Sequence, residues 1–148
     1  MRGMEARIEI MVLILLGSAM LSDLKTEKVP NGLILVGYVA GFVCRVHSPP
    51  DVLSALWDVF WPILLLYPLF LIKGLGAGDI KLFSVLSVFY HFSILTQIMI
   101  LSLYVGAGII ALRLIYTRVF HTKFERYIHY TVCILAAYLI VLTQGGVL

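Results

Sequence analysis

The sequence predicts an all-α protein, a polytopic membrane bundle of about six transmembrane helices, on three observations. First, 61% of the 148 residues are hydrophobic and only 13% are charged, against about half and about a quarter in a soluble domain. A domain of roughly 150 residues still leaves about 30% of its unfolded-chain surface exposed, so one core cannot hide the surplus. Second, the apolar residues fall in helix-length runs parted by turn signals, and six spans of about 20 residues would use roughly 120. Third, lysine and arginine gather on one side of that six-span arrangement. A soluble monomer is excluded, and so is a disordered chain, which would be apolar-poor and charge-rich.

The first apolar run extends from about Ile8 to Leu24 and ends at Ser22-Asp23-Leu24-Lys25. Arg2 and Arg7 ahead of it, with Gly17-Ser18-Ala19 inside it, also fit a signal peptide. A retained span is preferred because nothing soluble follows that would need export. After Pro30, a second span runs from Asn31 to about Val46, with Asn31 placed as its N-cap. Ser48-Pro49-Pro50-Asp51 makes a turn, because proline cannot continue a helix. The third span covers about Val52 to Ile72, and Lys73-Gly74-Leu75-Gly76-Ala77-Gly78-Asp79 is a glycine-rich break. From Ile80 to Thr117 the chain is apolar for 38 residues, too long for one span. A turn near His91 to Ser93 divides it into a short fourth helix and a longer fifth. The basic stretch Arg113 to Arg126 follows, and a sixth span runs from about Tyr127 to Thr143. The whole chain, 1–148, reads as a single membrane-embedded domain.

Orientation follows from the basic side chains. Lys25, Lys28, Lys73, Lys81, Arg113, Arg118, Lys123 and Arg126 share one side, eight in number, against three, Arg2, Arg7 and Arg45, on the other. The richer side is expected to face the cytoplasm. Merging helices four and five would spoil this asymmetry, which favours the split. The net charge of +3 is too small to make nucleic acid the partner; the bilayer is. Cys44 and Cys133 have no metal-type spacing, and His47, His91, His121 and His129 show no paired ligand spacing, so no metal and no cofactor are expected.

Two aspartates stand out by position. Asp23 lies where span one reaches the cytoplasmic side, and Asp79 where span four leaves it. Carboxylates held close cannot both ionise easily, so one pKa rises and the pair shares a proton. One group then activates water and the other protonates the leaving group, which hydrolyses a peptide without a metal or a nucleophilic side chain. The blander alternatives are an N-cap for Asp79 and an ordinary interfacial charge for Asp23.

The surrounding words are Asp23-Leu24-Lys25-Thr26-Glu27-Lys28-Val29-Pro30-Asn31 and Gly76-Ala77-Gly78-Asp79-Ile80-Lys81. In them the chain resembles the prepilin peptidase family, membrane aspartyl proteases of the GxGD type, over about residues 8 to 95. The resemblance implies that Asp23 and Asp79 are the catalytic pair and that Gly76 and Gly78 shape the loop admitting Asp79. It implies that Pro30 and Asn31 fix the return into span two. Lys25 and Lys81 are read as raising the local positive potential or meeting lipid phosphates rather than as catalytic. The implied activity is removal of the leader of a prepilin-like membrane substrate, at the cytoplasmic face of the plasma membrane. Bifunctional members also carry two Cys-x-x-Cys pairs associated with methyl transfer; none occurs here, so methyl transfer is not expected, and the form looks like the minimal Tad/Flp peptidases. The presenilin-like branch pairs GxGD with Tyr-Asp and Pro-Ala-Leu, whereas here Ser22 precedes Asp23 and no Pro-Ala-Leu occurs.

The rival functions are a proton or cation conductor using the same aspartates and a non-catalytic scaffold. A conductor would place its carboxylates nearer mid-membrane. Gly37 with Gly41, and Ser102 with Gly106, have the small-xxx-small spacing of close helix packing. Asp58, inside span three, is read as a buried polar or interfacial group, and Trp57 and Trp61 as belt or packing residues.

Overall fold

Tyr90 breaks what would otherwise be one uninterrupted apolar helix. Its backbone is extended, with φ −122° and ψ 146°, while its N–H still closes the last turn on the Leu86 carbonyl. A new helix starts at once, with the Leu95 N–H bonded to the His91 carbonyl at 3.1 Å. In the computed structural model, which describes residues 2–45, 52–71, 74–120 and 129–144, the helices are α1 (Arg2–Thr26), α2 (Asn31–Arg45), α3 (Val52–Leu71), α4 (Ala77–Phe89), α5 (Phe92–Phe120) and α6 (Tyr130–Thr143). No strand occurs among the described residues. The expected division into a short fourth and a long fifth helix is present, at 13 and 29 residues. The break falls at Tyr90 and His91, slightly before the expected place. α1 starts at Arg2 rather than near Ile8.

The helix Phe92–Val119 is long and apolar enough to cross a membrane; Asn31–Cys44, Leu56–Leu71 and Tyr130–Thr143 are apolar over shorter lengths. The turn at Ser48 to Asp51, the start of the sixth run at Tyr127, and Lys73, Lys123, Arg126, His47 and His121 lie outside the described residues.

α4 is the buried axis of the fold. Asp79, Ile80 and every residue from Leu82 to Val88 are buried, as expected for a helix that is apolar all round. It packs against α2 and α3 and touches α1 and α5, while α6 lies against α5 and α1. Glycine permits the approach of α2: a Cβ on Gly37 would lie 2.6 Å from Val85 Cγ1 and 2.5 Å from Leu15 Cδ1, and one on Gly41 would lie 2.8 Å from Val88 Cγ1. On α5, Gly106 faces the ring of Tyr130, 3.0 Å from where a Cβ would stand. Tyr130 also hydrogen-bonds Ser102 at 3.0 Å. Both small-residue stripes therefore pack helices, as their spacing predicts.

Polar clasps fix the register. Tyr38 donates to Ser84 Oγ at 2.8 Å, and Ser84 donates to the Val59 carbonyl, joining α2, α4 and α3. Tyr90 and Tyr138 share a 2.7 Å bond, and Tyr138 donates to the Glu9 carbonyl. Glu9 is 14 residues before Asp23 on α1, about 21 Å along a helix. That clasp therefore closes the end of the bundle away from Asp23.

Candidate functional site

The C-terminal end of α1, the loop 27–30 and the N-termini of α4 and α6 meet at one end of the bundle. Asp23 is only 6% exposed and Asp79 only 8%. Aspartate is rarely buried to this degree unless paired. Asp23 lies one turn before the end of α1. Its Oδ2 accepts a hydrogen bond from Thr131 Oγ1 at 2.5 Å and stands 3.3 Å from His129 Nδ1. Asp79 is the third residue of α4, where its Oδ2 accepts the Gly76 N–H at 3.2 Å.

That last bond is the N3 half of a capping box, so Asp79 does help cap α4, though from its third position; the N-cap itself is Gly76. Capping does not account for the burial. Asp79 stands on the loop side of Ile80, where the apolar run of α4 begins, and its pKa is pushed from 3.8 up to about 7. Burial is the larger cause and the charge of Asp23 the second; the Gly76 N–H pulls the other way but loses. A capping carboxylate at a solvated helix end would not behave so.

The two sequence words pack on one another. A Cβ on Gly78 would lie 3.2 Å from both Cβ and Cγ2 of Val29, so the glycine admits the loop that follows Asp23. At Gly76 a Cβ would stand 2.9 Å from Asp79 Oδ2. The backbone of Gly76, at φ −77° and ψ 152°, suits any residue; what a Cβ there would press on is the Asp79 carboxylate. Lys81 Nζ donates to Asn31 Oδ1 at 3.0 Å.

Two expectations change here. Asn31 does not act as the N-cap of α2. The Pro30 carbonyl occupies that place, accepting from the N–H groups of Leu33 and Ile34, and the Asn31 side chain serves Lys81. Lys81, in turn, ties the two loops together. Lys25 is exposed in the last turn of α1, where a cation suits the helix dipole.

Behind Asp23 the turn is closed by hydroxyls: Ser22 donates to the Lys28 carbonyl at 3.2 Å, and Thr26 to the Ser22 carbonyl at 2.9 Å. Glu27 adopts a left-handed conformation with φ 55°. Thr131 and His129 are the residues that sequence reasoning missed. The one signal for Thr131 was a lone hydroxyl at the start of an apolar run. Asp58 is half-buried on α3, 13 residues before its end, about 20 Å along the helix from the loop leading to Asp79. Trp61 packs on Phe92 with ring centroids 4.6 Å apart, whereas Trp57 is exposed. Among the described residues, no three His, Cys, Asp or Glu side chains form a metal-binding group.

An all-helical bundle with two buried aspartates at one end defines a class of proteins able to run acid–base chemistry beside an apolar body. The model of the type IV leader peptidase family matches residues 10–112, from α1 through most of α5 and across both words. The chain belongs to the type IV leader peptidase family. No curated protein and no solved structure matches it.

Proposed function

We propose that this chain is an intramembrane aspartyl endopeptidase that cleaves the N-terminal leader from type IV prepilin-like substrates at the cytoplasmic face of the plasma membrane. The observation that carries the reading is the buried Asp23–Asp79 pair within the residues matched to the family. Asp79 holds a proton up to about pH 7 beside the charge of Asp23, the half-protonated state an aspartyl pair requires. A water between them loses a proton to one carboxylate as it attacks the scissile carbonyl, and the other carboxyl protonates the departing amide nitrogen.

The membrane placement rests on several features. α5 has spanning length, large apolar side chains such as Leu35, Leu64, Leu112 and Ile115 point outward, and the six-span reading of the sequence assigns eight of the eleven basic residues to the side of the aspartates. The proposed architecture is six spans within one peptidase domain, 1–148, of the minimal Tad/Flp type. Gly76, Gly78, Pro30, Asn31 and Lys81 hold the loops, and Lys25 contributes positive potential. The proposal covers hydrolysis alone, because Cys44 and Cys133 form no Cys-x-x-Cys pair.

Co-expression with a prepilin, followed by gel mobility, tests the reading. Wild type should shorten the substrate, and Asp23→Asn and Asp79→Asn should each leave it uncut. Full processing by either variant would exclude the pair as the catalytic centre.

A further inference from the structure

α6 lies outside the residues matched to the family, yet its first turn reaches the site. Thr131 is buried, and a threonine in the first turn of a helix has no preceding helical turn whose carbonyl it can bond. Its hydroxyl instead crosses to α1 and donates to Asp23 Oδ2. His129, one residue before α6, keeps its side chain one-third exposed and brings Nδ1 to within 3.3 Å of the same oxygen. The two partners arrive from a single short segment and converge on one carboxylate oxygen. They therefore fix the rotation of that carboxylate and engage its Oδ2 as an acceptor. Asp79 has the opposite environment: one backbone N–H, and otherwise burial.

We infer that Thr131 and His129 are positioning residues that make Asp23 the general base and leave Asp79 as the general acid. The inference rests on the Asp23–Asp79 pair being the hydrolytic pair. The α6 segment would act only through Asp23, touching neither the water nor the peptide. Its loss should therefore slow the chemical step and spare substrate binding.

The experiment uses the full chain in detergent micelles with a synthetic peptide spanning a prepilin leader, measuring kcat and KM separately. Thr131→Val keeps the shape and removes the donor; kcat should fall about 10- to 100-fold, the worth of one hydrogen bond to a charged group, with KM unchanged. Thr131→Ser, which keeps the hydroxyl, should restore most of the rate. At position 129, where the side chain is one-third exposed and a substitution is expected to cost less stability than in the core, His129→Leu should lower kcat and His129→Asn, with an amide near the place of Nδ1, should recover it. Wild-type kcat in both Thr131→Val and His129→Leu, with Asp23→Asn inactive, would overturn the inference and leave the peptidase reading standing. So would a rise in KM at constant kcat, or Asn and Leu behaving alike at 129 while Thr131→Ser matches Thr131→Val. An active Asp23→Asn would instead remove the peptidase reading itself. If Thr131→Val does not fold, the Leu and Asn variants at 129 and Thr131→Ser decide the matter by the same readouts.

Discussion

Lys81 Nζ lies 3.0 Å from Asn31 Oδ1, so the basic residue two places after one aspartate is bonded to the residue that opens the helix after the other. The bond spans 50 positions of sequence and, with Gly78 against Val29, seats the loop after Asp23 on the first turn of α4. Because the bond is exposed, its worth is small, about 0.5–1.5 kcal/mol. Lys81→Ala and Asn31→Ala should each lower thermal stability by about that amount, and the double variant by less than the sum, as a double-mutant cycle requires of residues in contact. Strict additivity in micelle melting curves would mean that the bond is not formed.

A Cβ at Gly76 and one at Gly78 would meet different obstacles, and substitution separates them. At Gly76 the obstacle to a Cβ is the Asp79 carboxylate itself, so Gly76→Ala should displace that group and cost processing far more than stability. At Gly78 the obstacle is Val29, a neighbour that can be trimmed. Gly78→Ala should impair processing and lower stability by about 1–3 kcal/mol, as overpacking does, and adding Val29→Ala should recover both. Failure of that rescue in a leader-loss assay would place the requirement at Gly78 somewhere other than the contact with Val29.

How much of this was legible in the sequence depends on how far each contact reaches. The break at Tyr90 was readable because the apolar run is too long for one span, and the packing of Gly37 and Gly41 because small residues four apart leave a flat helix face. The two aspartates were readable because each sits in a short word with its own helix end. Thr131 was not: its bond to Asp23 joins residues 108 apart, and a single threonine at a helix start carries no local sign of its partner. His129 carries a misleading sign, since a histidine with no second ligand at metal spacing reads as unengaged, whereas its neighbour is one carboxylate distant in sequence. Asn31 failed as a cap because proline before it supplies the carbonyl, leaving the side chain for a lysine that no local pattern would match to it.

Asp79 should set the pH dependence of stability. Its pKa is raised from 3.8 to about 7, first by burial and then by Asp23, with the Gly76 N–H opposing. Between those two values the folded chain holds a proton that the unfolded chain releases. Stability is therefore fully present below about pH 4, falls as pH rises towards 7, and is level above. The same titration removes the acid form of the pair, so processing should decline above about pH 7, roughly tenfold per unit for loss of one essential proton. Melting temperatures of wild type and Asp79→Asn across pH 4 to 8 check the first part. A slope that survives in Asp79→Asn would assign the titration to another group.

Glu27 is held at φ 55°, in the region where a side chain crowds the following carbonyl at a cost of about 1–2 kcal/mol. It stands just past the end of α1, the place where glycine most often ends a helix, and its N–H closes on the Asp23 carbonyl at 2.9 Å. The strain therefore lies in the turn carrying the aspartate backbone, between the hydroxyl bonds of Ser22 and Thr26. Glycine there loses the steric penalty but gains freedom in the unfolded chain, so Glu27→Gly should be neutral to stabilising by about 1 kcal/mol. Glu27→Val should be destabilising, because a β-branched side chain is the least tolerant of positive φ. Micelle melting curves of the two variants distinguish them, and equal stability for Val and Gly would mean that position 27 does not keep its left-handed conformation. Since that conformation turns the chain from α1 towards Pro30, the Val variant should also process substrate more slowly than the Gly variant.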